Sequence, residues 1–431
     1  MRIRGKTSAE IYDCVRALTQ SRQLLPGDAL PPVRELAAEL GIGRNTVAAA
    51  YRRLTTTGIT ASQGRLGTVI RDQYASREQE GARADTPLVD LASGNPNADW
   101  LPDVAAALRL RPYVPRLYGA PTVNAGLRAY LHRWMAPDCP ADGRIDLTHG
   151  AIDAIERLLG AYLVAGDKVA VENPCFLSSI NTLRTLGLQA AGVSVDAQGM
   201  RPEELDEALR KGARAVILTP RAHNPTGCSL SEARALVLAR VMARYPEALV
   251  IADDHFALLS RVAYHSPIPP NAVRWALVRS FSKALGPDIR VAAVASDAST
   301  ANQLGLRLAS GTSWVSHLLQ DIVEAGVTRP ENRRLMADAA EDYVRRRRML
   351  ETALSGQGVG FVAQGDGLNF WIPLRVDDQA VALALAQRGW LVRHGGSLSV
   401  REAVRGLRIT LSTLDPAQCD RLARDIGDTL G

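Results

Sequence analysis

Three short apolar runs, Ala213 to Thr219, Ala248 to Ala252 and Ala276 to Ser280, constrain the fold of this 431-residue chain more than any other feature. Each is rich in Val, Ile, Leu and Ala, the composition of a strand buried on both faces. Beyond Pro87, runs of this kind alternate with longer helical segments, which predicts an α/β domain with a mostly parallel sheet, helices on both faces and a smaller C-terminal α/β part. The residues just after each run are polar and specific: Asn224-Pro225-Thr226-Gly227, then Asp253-Asp254-His255, then Lys283. Ligands of open α/β sheets bind beyond the carboxyl ends of the strands, so these residues are expected to converge on one pocket.

The chemistry of the set is coherent for one cofactor. Pyridoxal 5'-phosphate needs a lysine for its Schiff base, an acid at the pyridinium nitrogen, donors for the phenolate oxygen and an anion site for the phosphate. A lone lysine after a strand is ordinarily just solvated, and an Asn-Pro-Thr-Gly stretch is ordinarily just a turn. Here Ser280-Phe281-Ser282-Lys283-Ala284-Leu285-Gly286-Pro287-Asp288-Ile289-Arg290 closely resembles the lysine segment of fold-type I aminotransferases. The resemblance implies that Lys283 is the Schiff-base and catalytic residue, with Ser280 and Arg290 on the phosphate. It also implies Asp253 at the ring nitrogen, Asn224 at the phenolate oxygen, and a cis Asn224-Pro225 bond.

Thr148-His149-Gly150-Ala151, opening a helix over Ile152 to Leu163, resembles the phosphate-cup turn, where Gly150, Ala151 and the helix N-terminus receive the anion. Phe176, in Glu172-Asn173-Pro174-Cys175-Phe176, fits the aromatic that stacks on the ring; the alternative is a core Phe. Arg408, in Gly406-Leu407-Arg408-Ile409-Thr410, aligns with the family's carboxylate-binding arginine, and Tyr118 resembles the tyrosine that reaches the partner subunit's phosphate. The site is then complete only in a homodimer.

The first seventy residues read differently. Residues 1 to 75 hold eleven Lys and Arg against six Asp and Glu, nearly all of the chain's formal +6, which suggests a polyanion-binding module on a near-neutral body. Thr7-x-x-Glu10 has the form of a capping box before Ile11, Cys14, Val15 and Leu18, at helical spacing. A second helix fits Pro32 to Leu40 with Gly41 as its left-handed stop, and a third carries Val47, Ala50, Tyr51 and Leu54 on one face. Two helices about a Gly turn make a helix-turn-helix, whose second helix presents N-terminal side chains to base edges; Arg44, Asn45 and Thr46 suit that position. Ile59 to Ile70 reads as a hairpin wing with Arg65 at its tip, placed for phosphate or minor groove. Leu30-Pro31-Pro32-x-Arg34-Glu35-Leu36-Ala37, Arg44-Asn45-Thr46-Val47 and Ala50-Tyr51-x-x-Leu54-x-x-x-Gly58 resemble the GntR-type winged helix-turn-helix, in which Arg34 and Arg44 sit on DNA.

The expected organisation is therefore a DNA-binding domain over 1–70, a polar linker over 71–87, and an aminotransferase-like effector and dimerisation domain over 88–431. The five cysteines are scattered without C-x-x-C spacing, which indicates neither a disulfide framework nor a metal site. No apolar run approaches the roughly 20 residues that span a bilayer, and the start of the chain lacks a signal-peptide pattern. The expected location is cytoplasmic, with no membrane partner.

Taken whole, the chain resembles the MocR subfamily of GntR regulators. Ser93-Gly94-Asn95-Pro96, Ala222-His223-Asn224-Pro225 and Asp253-Asp254-His255-Phe256 look most like its PtsJ-type branch, associated with vitamin B6 salvage. One departure stands out: where many members have Tyr two residues after the ring-nitrogen Asp, this chain has His255, an imidazole in place of the phenol that contacts the cofactor's O3′. The resemblance implies a transcription regulator that binds double-stranded operator DNA and responds to a small molecule, either pyridoxal phosphate itself or an amine or amino acid. Two alternatives stand beside it: an active aminotransferase, recognised by turnover of an amino acid and keto acid pair, and a B6 carrier, which specific operator binding would eliminate.

Overall fold

The computed structural model describes residues 3–62, 67–70, 86–109, 114–140 and 143–431. They form two compact units, one built chiefly within Met1–Glu78 and the other over most of Gln79–Gly431.

The first unit opens with α1 (Ser8–Gln20), capped by Thr7, whose hydroxyl accepts the Glu10 N–H at 3.2 Å. Only half of the expected capping box forms. The Glu10 carboxylate turns to the Lys6 N–H at 2.8 Å instead of that of Thr7, because the chain before the cap bends back over the first turn. α2 (Val33–Leu40) starts one residue later than expected, with Pro32 outside it as the cap, and stops at Gly41 with φ 66°, where a side chain would be strained. α3 (Arg44–Thr56) buries Val47, Ala50, Tyr51 and Leu54, none more than 5% exposed, against Ile11, Val15 and Leu36. β1 (Thr60–Ser62) and β2 (Thr68–Ile70) pair antiparallel, Thr60 opposite Ile70. They are the two arms of the expected wing; its tip at Arg65 lies outside the described residues, as do residues 71–85 of the expected linker. Residues 27–30 also lie against β2, through Leu30 N–H to Thr68 O and Ile70 N–H to Asp28 O. A single bridge of this kind leaves no alternation in the sequence to reveal it.

In the second unit β3 (Val89–Asp90), α4 (Val104–Arg109) and α5 (Ala125–Met135) precede an eight-stranded sheet. Its strands are β4 (Arg144–Thr148), β5 (Lys168–Asn173), β6 (Gln189–Asp196), β7 (Gly199–Met200), β8 (Ala213–Leu218), β9 (Leu249–Asp253), β10 (Trp275–Ser280) and β11 (Ala292–Ser296). They lie in the order β4-β11-β10-β9-β8-β5-β6-β7. β5, β8, β9 and β10 run parallel, and β11 runs against both β10 and β4, so the sheet is mixed but mostly parallel. The three apolar runs are thus the adjacent central strands β8, β9 and β10, buried throughout except at Arg214. The connections include α6 (Ala151–Tyr162), α7 (Leu177–Thr185), α8 (Pro202–Arg210), α9 (Glu232–Met242) and the single turn α10 (Ser282–Leu285).

The rest of the chain forms α11 (Ala298–Ala309), α12 (His317–Thr328), the long α13 (Pro330–Gly356), and a smaller α/β part. That part holds β12 (Asn369–Pro373), α14 (Asp378–Gln387), β13 (Trp390–Leu391), β14 (Arg393–His394), β15 (Gly406–Thr410) and α15 (Pro416–Leu430). β12, β15 and β14 make an antiparallel sheet, while β13 pairs with β3. This last pairing carries Ser93-Gly94-Asn95, just beyond β3, to the mouth of the main sheet.

Candidate functional site

A cavity of about 330 Å³ opens beyond the carboxyl ends of β8, β9 and β10. Ala151, Phe176, Asn224, Asp253, His255, Ser280, Lys283 and Arg290 all line it, so eight of the ten residues expected around the cofactor face one space. Phe176 is half-buried on the wall, which removes the core-Phe alternative. The Asn224-Pro225 bond is cis, as the resemblance implied.

Asp253 ends β9 and is 5% exposed, and its Oδ1 has no hydrogen-bond partner among the described residues. Burial, then the negative charges of Asp254 and Glu172, push its carboxyl up to about 7. An orphaned carboxylate oxygen on a cavity wall is costly unless a ligand donor or cation meets it. His255 is held well below the ordinary histidine range, at about 3, by burial and then by the Lys283 charge, so it is neutral at physiological pH and offers one N–H and one lone pair.

Lys283 stands in the turn of α10, and its Nζ donates to the Gly94 carbonyl at 2.5 Å. Ser93, Gly94 and Asn95 also line the cavity, as do Ser178, Ser179, Thr219 and Ser282. Sequence reasoning assigned none of these seven to the site. The signal for the first three was the Ser93-Gly94-Asn95-Pro96 wording; the hydroxyls carry no spacing that marks them. Arg408 is fully buried in β15, one layer behind the wall, its Nη1 donating to Asn224 Oδ1 at 3.1 Å and its Nη2 to the Ala92 carbonyl. With its Oδ1 so engaged, Asn224 turns its amide N–H groups to the remaining space.

At the other end, Gly150 has φ 97°, a conformation that strains any other residue, and a Cβ there would stand 3.1 Å from Arg290 Nη2, so the guanidinium lies close over the start of α6. The first N–H groups of α6 have no intrahelical acceptor, and with Ser280 and Arg290 they make a cradle for an anion. Tyr118 is 91% exposed, edge-on to Trp314 with ring centroids 5.5 Å apart, and is not among the cavity residues.

In the first unit Arg44, Asn45 and Thr46 form the first turn of α3, and Arg44 and Asn45 are exposed. Gly43 precedes them without a side-chain cap; the Thr46 N–H donates to the Gly43 carbonyl at 3.1 Å, and those of Arg44 and Asn45 have no intrahelical acceptor. Arg34, on α2, is exposed and 3.8 Å from Glu35, a surface pair that holds it weakly.

Residues 7–70 match the gntR family of bacterial regulatory proteins, and residues 86–426 match the aminotransferase class I and II family. The chain is 51% identical over 428 residues, 99% of both proteins, to the vitamin B6 salvage pathway transcriptional repressor PtsJ of Salmonella typhimurium. The chain belongs to the MocR-type regulators of the GntR family. Other relatives are the transcriptional regulator TauR of Rhodobacter capsulatus, 27% identical over 92% of this chain and 91% of that protein, and the pyridoxine biosynthesis regulator PdxR of Corynebacterium glutamicum, 28% identical over 65% and 64%. Among solved structures, the kynurenine aminotransferase of Pyrococcus horikoshii superposes with a TM-score of 0.72 at 21% identity, covering 80% of this chain and 92% of that one. The fold of the second unit is thus that of the fold-type I aminotransferases. Among the described residues no helix is long and apolar enough to cross a membrane.

Proposed function

We propose that this MocR-type regulator binds operator DNA through α3 and its wing, takes pyridoxal 5'-phosphate in the cavity of its second unit, and controls vitamin B6 salvage by coupling the two. The observation that carries the cofactor reading is the bare, buried Oδ1 of Asp253 on the same wall as Lys283. A pyridinium N–H would satisfy that oxygen, and the residues present fit the rest of the group. Lys283 would hold its aldehyde covalently, Asn224 and His255 its phenolate oxygen, Phe176 its ring face, and Gly150, Ala151, Ser280 and Arg290 its phosphate. The bound group supplies an electron sink for amine chemistry. The protein's own contribution is the Asp253 carboxyl as counter-charge for the ring nitrogen, a neutral His255, and a pocket that holds the anion at a helix start.

The kinship to PtsJ over both units supports DNA regulation of B6 metabolism, in the repressing direction that relative's name carries. The sensor reading over a working transaminase rests on the kinship to named transcriptional regulators over both units, since the Arg408 guanidinium has N–H groups beyond those given to Asn224 and Ala92 and can still meet a carboxylate. We also read the protein as a cytoplasmic homodimer, Tyr118 being set out from its own cavity where a partner's phosphate would meet it.

The test is footprinting of the full-length protein on its own upstream region with and without pyridoxal phosphate. A footprint whose strength or extent changes with the cofactor is expected. An unchanged one would make the cofactor a fixed prosthetic group and require a second ligand as signal.

A further inference from the structure

Three carboxylates cluster at the cavity wall, Glu172 and Asp253 lining it and Asp254 behind them, at 4%, 5% and 0% exposure. Two of them have counter-charges built in. Asp254 accepts from Arg221 at 2.6 and 3.0 Å and from Arg279 at 2.9 Å. Glu172 accepts the Thr219 N–H at 3.1 and 3.2 Å, and its Oε2 lies 3.2 Å from Nε2 of His223. That last approach is off the line of a hydrogen bond, so it acts through charge.

The other ring nitrogen faces an oxygen as well. His223 Nδ1 is 2.7 Å from Thr226 Oγ1, and the Thr226 hydroxyl gives its proton to Cys228 Sγ at 3.0 Å. The Thr226 oxygen is thus open to accept from Nδ1, and with the Glu172 carboxylate at Nε2 both ring nitrogens face acceptors, the surroundings that an imidazolium requires. We infer, resting on the proposed binding of pyridoxal phosphate, that His223 is a positioning residue: by offsetting the charge of Glu172 it leaves Asp253 as the wall carboxylate whose charge is reserved for a ligand cation.

The groups around this cluster are Asp254 with Arg221 and Arg279, Glu172 with His223, and the wall residues Cys175, His255 and Lys283. Burial alone would pull His223 down, yet the Glu172 charge and the bonds to its neighbours raise it to about 10, so the pair persists across the physiological range. Remove its charge, and Glu172 becomes a second bare negative charge beside Asp253. Asp253 then holds its proton to higher pH, and at neutral pH less of it is available to a pyridinium.

The experiment measures pyridoxal phosphate dissociation constants from pH 5.5 to 9 on the full-length protein, for wild type, His223→Gln, Glu172→Gln and the double variant. His223→Gln should move the midpoint of tight binding up by roughly one unit and weaken binding near pH 7 by about tenfold. Glu172→Gln should move it down, and the double variant should return to within about twofold of wild type. An unmoved midpoint in His223→Gln, or a double variant as impaired as the single one, overturns the inference, because a purely structural role would not be rescued by a second loss. Should His223→Gln not fold, Glu172→Gln decides alone, and an unmoved midpoint there overturns it. Wild-type protein that takes up no pyridoxal phosphate overturns the cofactor reading and this one together, whereas uptake with unmoved variants overturns only this one.

Discussion

Asp253 and Lys283 show how much a single position depends on what surrounds it. Asp253 is held near 7 in the folded chain against 3.8 for an ordinary carboxyl. Between roughly pH 4 and 7 the unfolded chain has therefore lost a proton that the folded chain keeps, so the stability of the ligand-free protein falls as pH rises through that window. Asp253→Asn removes this term, worth on the order of a few kcal/mol. The ligand-free variant should melt above wild type at pH 8 and match it more closely at pH 4.5, while losing most of the thermal shift that the cofactor confers. Melting curves at the two pH values check both parts, and a variant that melts lower at pH 8 contradicts the assignment. Lys283→Ala should abolish the visible absorbance of covalently held pyridoxal phosphate yet retain weak binding through the anion cradle. A spectrum unchanged from wild type would remove Lys283 from its role.

Among the elements, α2 and α3 of the head carry the sharpest expectations. Gly41 ends α2 at φ 66°, so Gly41→Ala should cost about 1 kcal/mol and lower the melting temperature without touching DNA contacts. Arg44, exposed in the first turn of α3, should behave in the opposite way. Arg44→Ala is expected to weaken operator binding by about 1 to 3 kcal/mol, with no change in stability or in the cofactor spectrum, as gel shifts at fixed salt would show. These elements were readable in advance because the 3.6-residue apolar stripe, the Gly stop and the Pro start are local signals. The capping box was not, since Glu10 had two N–H groups within reach and the bend of residues 3–7 decided between them. In the second unit the three central strands were legible for the same local reason, whereas the two-residue strands β3 and β13 have too few residues to show any period.

For the whole molecule, the expected state is a homodimer at micromolar concentration with cofactor bound, and sedimentation finding a monomer would count against the role given to Tyr118. Coupling between sites of this kind is typically about 1 to 3 kcal/mol, so saturating pyridoxal phosphate should change operator affinity roughly 5- to 150-fold. A ligand shifts the heads only by as much as it prefers one arrangement of them. The change is read by titrating operator DNA at constant salt, and Lys283→Ala should keep basal DNA binding while altering the response.

The sequence by itself determined the order of the units, the class of the second fold, the strands at whose ends the site lies, and the identities of eight of the wall residues, because apolar runs, turn residues and the motifs beside them are properties of neighbours in the chain. Only the tertiary structure decided what each of those residues experiences. Glu172 and His223 are 51 positions apart, and Arg408 is 184 from the Asn224 it holds. Which carboxylate is neutralised, which is left bare and which arginine is withdrawn from the cavity are settled by burial and by charges brought together across the sheet, and neither burial nor a distant charge is written in local sequence.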